Sequence, residues 1–187
     1  SFLLYTIDTL TSKVIYKSEQ IPIITEDEIV GYVPEIEFFG RYGKAFVCTK
    51  NNQNTVNNSK NNKTLFLFDT ETNSFETLVD GLYGFPFFEA RYHMKSLIND
   101  SKLLYGILQD DNQTVNLYYY DLENKTSKLM FQDSKKMEYR LFDQTKERFI
   151  VRIYNDGLIE DSFKTYLILK EDYLKGNLNT KQQILVK

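Results

Sequence analysis

The chain has 187 residues, with 23 basic and 26 acidic side chains, one histidine, one cysteine and no tryptophan. A hydrophobic fraction of 42% is enough to offset chain entropy in one core, so wholesale disorder is excluded and a second independent core is not expected. A net charge of −3 without clustered Lys and Arg speaks against nucleic acid as a partner. The lone Cys48 rules out an intrachain disulfide, and with His93 it is too little for a Cys/His zinc cluster or a haem attachment motif.

At the start, Ser1 to Leu10 lack a basic segment followed by a long apolar run, so no targeting peptide is expected there. No window approaches the roughly 18 consecutive apolar residues of a membrane-spanning helix. Opening directly in Phe2-Leu3-Leu4-Tyr5 is read as a chain cut from something longer.

The 14 Tyr and 14 Phe sit among branched residues in short runs broken by Asn, Asp, Gly and Lys, which predicts strands. Leu4-Tyr5-Thr6-Ile7-Asp8 leads through polar residues into Lys13-Val14-Ile15-Tyr16. Leu65-Phe66-Leu67-Phe68-Asp69 leads likewise into Phe75 to Val79, and Leu117-Tyr118-Tyr119-Tyr120-Asp121 into Lys128 to Phe131. A degraded fourth copy joins Tyr166 to Leu169 with Gln183 to Val186. Each is a hairpin with an acidic or polar turn.

Ahead of each later hairpin stands a second strand pair. Glu35 to Phe39 turns into Lys44 to Val47, Arg91 to Ile98 into Lys102 to Tyr105, and Glu138 to Phe142 into Arg148 to Val151. A cation opens the second strand each time. Phe88 to Lys95 alternates apolar and polar residues as a half-buried strand requires, with a helix as the rival reading because Phe87, Ala90, Met94 and Leu97 also fall near one helical face. The unit is therefore four antiparallel strands recurring about every 50 residues. Asn51 to Lys63, nearly devoid of apolar side chains, reads as an insertion in a loop between strands.

These Tyr-x-x-Asp-like strand ends followed by polar turns resemble β-propeller repeat proteins. There is no Trp-Asp pair of WD40 type, no kelch double Gly and no Asp-box, so the resemblance implies a fold and carries over no functional residue. The expected class is all-β, with antiparallel four-stranded repeats forming a partial or fragmentary β-propeller, the alternative being a β-sandwich. Residues 1–187 are read as a single β-repeat domain of a longer chain.

Candidate chemistry is sparse. His93 falls on the polar face of its predicted strand beside Arg91 and Lys95, without a Gly-x-Ser-x-Gly elbow, and is read as an exposed side chain. Cys48 ends an apolar strand and is read as a small buried thiol. Glu26-Asp27-Glu28, Asp110-Asp111, and Asp156 with Glu160 and Asp161 offer oxygen ligands, but without calcium-loop spacing they are read as turn formers, and no metal or cofactor is expected. Gly81-Leu82-Tyr83-Gly84-Phe85-Pro86 lacks a phosphate-cradle pattern, while its rings, Tyr83, Phe85 and Phe87, form a candidate partner-contact surface; core packing accounts for the same rings.

Acceptor sequons at Asn57, Asn62, Asn99, Asn112 and Asn124 lie in predicted loops and would carry glycans in a secreted eukaryotic protein, although random placement of so many Asn and Thr residues accounts for some of them. The repeat and the aromatic-rich connecting loops, without a catalytic constellation, lean toward an extracytoplasmic location. The function expected is a non-catalytic ligand- or protein-binding module. The alternatives are the propeller portion of a larger hydrolase or transport-associated protein, and a carbohydrate-active enzyme using loop carboxylates. The partner, protein or small ligand, is not specified by the sequence, and uncovered sheet edges predict self-association or pairing with a missing segment.

Overall fold

A computed structural model describes residues 2–7, 12–25, 28–34, 36–51, 63–83, 97–98, 101–134, 139–154 and 163–184. The chain divides into two compact units, residues 1–82 and 83–187.

The first unit opens with two hairpins, β1 (Phe2–Ile7) with β2 (Ser12–Ser18) and β3 (Gln20–Thr25) with β4 (Glu28–Pro34). The first matches the leading Asp-turn repeat. The second falls where the sequence pattern left 17–34 unassigned. A four-stranded antiparallel sheet follows in the order β5 (Ile36–Tyr42), β6 (Ala45–Asn51), β7 (Lys63–Asp69), β8 (Ser74–Leu82). The short turns at 43–44 and 70–73 impose antiparallel pairing between sequence neighbours. Gly43, at φ +57°, takes the left-handed conformation needed between Tyr42 and Ala45.

The second unit holds two further sheets of the same plan. One contains β9 (Leu97–Ile98), β10 (Lys102–Leu108), β11 (Thr114–Asp121) and β12 (Thr126–Ser134); the other contains β13 (Tyr139–Gln144), β14 (Arg148–Tyr154), β15 (Phe163–Leu169) and β16 (Gln182–Ile184). Between β15 and β16 the chain inserts helix α1 (Lys170–Leu174) and a short 3-10 turn, Leu178–Thr180. Among the described residues, then, all three predicted four-stranded antiparallel units form, each in chain order, as in propeller blades.

The core of the second unit lies between its two sheets. Leu104, Leu108, Val115, Leu117 and Met130 from one sheet cluster with Leu141, Phe149, Val151 and Ile168 from the other. Alternation along each strand sends these side chains to one face, and each fully buried aliphatic side chain contributes about 1.5–3 kcal/mol. Tyr173 of α1 completes the cluster at 0% exposure, its ring edge-on to Phe131 and to Phe149 at 5.3 and 5.2 Å. The turn after α1 comes so close to β12 that a Cβ on Gly176 (φ +72°) would lie 2.4 Å from the Met130 carbonyl oxygen. The insertion thus ties the last sheet to the one before it, and only glycine fits at that contact.

Candidate functional site

The repeat turns hold the most regular polar chemistry of the described residues. Asp69 Oδ1 accepts the backbone N–H groups of Glu71 and Thr72 at 2.8 and 3.2 Å, and Asp121 Oδ1 accepts those of Glu123 and Asn124 at 3.0 and 3.2 Å. Asn124 Nδ2 adds a third donor to Asp121, at 3.0 Å from Oδ2. Asn73 and Lys125, both at φ +52°, close the two turns identically. Hydrogen bonding holds both carboxyls below the ordinary carboxylate range: for Asp69 mainly the N–H groups of Thr72 and Glu71, for Asp121 first the Asn124 side chain, with the Lys102 charge adding to it. The cation that opens each second strand lies at this end. Lys102 reaches Asp121 at 3.6 Å and Lys44 reaches Glu71 at 2.6 Å, whereas Arg148 meets Gln182 at 3.2 Å, because α1 replaces the turn in the last unit. These carboxylates bond to their own loops, which makes them turn formers.

Other sequence candidates resolve similarly. Asp111 accepts the N–H groups of Gln113 and Thr114, both at 2.9 Å, and so organises its own turn. Among the described residues no group of three or more His, Cys, Asp and Glu could hold a metal ion. Cys48 is fully buried, its thiol donating to the Phe46 carbonyl at 3.6 Å, and burial pushes its pKa far above that of a reactive thiol. Tyr83 is half-buried against the core of the second unit, and its backbone N–H donates to the Gly106 carbonyl at 2.9 Å. Burial raises its phenol pKa. Phe85, Phe87, His93 and the predicted strand Phe88 to Lys95 lie outside the described residues, as do Glu26, Asp27, Asp156, Glu160, Asp161, Asn57, Asn62 and Asn99. Asn112 and Asn124 stand exposed in turns.

The feature that remains is on the β5–β8 sheet. Along β7 the alternation places Phe66 and Phe68 on one face, where they form a cluster with Ile36 of β5 and Cys48 of β6. Across the ladder from Phe68 stands Phe75 of β8. Its ring stacks on Phe68 at 4.8 Å and meets Phe66 edge-on at 5.1 Å, yet it is 49% exposed. Around it opens a recess of about 220 Å³ lined by Ile36, Lys50, Thr64, Phe66, Phe75 and Thr77. Thr64 is held in this lining by donating its hydroxyl to Asp80 at 2.5 Å.

In the second unit the corresponding ladder reads Leu103, Tyr120, Ser127 and Tyr105, Tyr118, Leu129. Tyr105 stacks on Tyr118 at 5.3 Å, and the Ser127 side chain hydrogen-bonds Tyr105. The first unit therefore carries a large half-exposed ring where the second has a small hydroxyl. Leu129, at 53% exposure, is the counterpart of Thr77. The sequence reading missed this site; the signal available was Phe at 75 against Ser at 127 in otherwise parallel hairpins.

A β-repeat protein of antiparallel four-stranded units, with an aromatic recess on one sheet, is the class that this geometry defines. No protein-family model and no curated protein match the chain. Among solved structures, TolB from Acinetobacter baumannii is similar over 96% of this chain and 36% of its own, at 16% identity and a TM-score of 0.46. The β-propeller domain of the trilobed protease from Pyrococcus furiosus, described as having an open velcro topology, is similar over 71% of this chain and 38% of its own, at 12% identity and a TM-score of 0.40. The chain spans little more than a third of the length of either structure.

Proposed function

We propose that the chain is a non-catalytic binding module of β-propeller type and that the recess around Phe75 is its contact site. The observation that carries this reading is a ring packed on a buried aromatic cluster while half its surface faces solvent. The lining joins the apolar side chains of Ile36, Phe66 and Phe75 to the polar ones of Lys50, Thr64 and Thr77, so that a ligand would meet both contact area and orienting groups. Rigid rings add contact area at little entropy cost.

The described carboxylates Asp69, Asp111 and Asp121 act in turns, which favours binding over carbohydrate chemistry. The β1–β2 hairpin matches the second half of each four-stranded unit, which supports reading the chain as a series of β-repeats. Exposure of Asn112 and Asn124 is what glycan acceptors require and accords with an extracytoplasmic location. The connector bearing Tyr83, Phe85 and Phe87 is retained as a second contact, tested by Tyr83→Ala and Phe85→Ala.

The test of the recess is a screen of apolar and amphipathic fragments read by backbone amide NMR. Shifts concentrated at Lys50, Thr64, Phe66, Phe75 and Thr77 are expected. Shifts confined to other surfaces, or none, would overturn the assignment.

A further inference from the structure

We draw no further inference here: the strongest candidate, the face of the β13–β16 sheet that carries the half-buried Ile150 and Leu167 and the exposed Leu169, carries no proposal because nothing in the structure shows what covers it.

Discussion

Lys102 Nζ lies 3.6 Å from Asp121 Oδ2, directly across the β10–β11 ladder, so the cation that opens the second strand of the unit meets the aspartate that ends its third. Asp121 also gathers two backbone N–H groups and the Asn124 amide. One side chain therefore fixes the turn and the strand pairing together. Asp121→Ala is expected to cost about 2 kcal/mol in urea unfolding, since hydrogen bonds to a charged group are lost while their donors regain only water.

The same group gives a pH dependence whose sign is fixed. Its folded pKa lies below the unfolded value, so its stabilisation is fully present above the ordinary aspartate pKa of about 3.9 and is lost as pH falls through the folded value. Asp69 acts in the same direction. Urea midpoints measured between pH 7 and pH 2 should fall on the acid side, less steeply in Asp121→Asn. A wild-type profile matching that of the variant would contradict this role.

Asn73 and Lys125 take φ +52° at equivalent turn positions. Asn tolerates that conformation, whereas for a residue of the Lys type a left-handed backbone costs about 1–2 kcal/mol. Lys125→Gly should therefore stabilise by up to about 1 kcal/mol, part of the gain being offset by the greater freedom of glycine in the unfolded chain. Asn73→Gly should change little. Thermal melts of the two variants, each against the parent, distinguish these outcomes.

Gly176→Ala should destabilise by about 1–3 kcal/mol, because it adds both left-handed strain and a Cβ clash with a backbone carbonyl that cannot swing aside. Tyr173→Ala, which empties the site between Phe131 and Phe149, should cost about 3–5 kcal/mol. Calorimetry on both tests whether the insertion after β15 ties the two sheets together. Neutral results would make it a surface ornament.

The strand pattern carried much of this architecture because its cues were local. Period-two alternation with Tyr and Phe, a terminal Asp and a polar turn located the Asp69 and Asp121 hairpins, and Lys44, Lys102 and Arg148 marked the second strands correctly. Helix α1 was not legible: Lys170 to Leu174 has no capping side chain, is five residues long, and exists because Tyr173 finds a core contributed by other strands. The β3–β4 hairpin lacks the Asp-turn signature that identified the others. The recess escaped for a related reason. Whether a ring such as Phe75 is buried or half-exposed depends on what the neighbouring sheet surface covers, and periodicity reports only the face to which it points. Tyr83, chosen for the aromatic density around it, packs against the core of its unit.

As a contact residue, Phe75 serves recognition more than stability. The most direct measurement combines fragment affinity at the recess with unfolding free energy in the same preparations of wild type and Phe75→Thr. The predicted result is at least a tenfold loss of affinity with stability changed by less than about 1 kcal/mol, as expected for a half-exposed strand position. Unchanged affinity, or a stability loss of the about 3–5 kcal/mol typical of a core phenylalanine, would place Phe75 in the packing of the sheet and contradict the assignment.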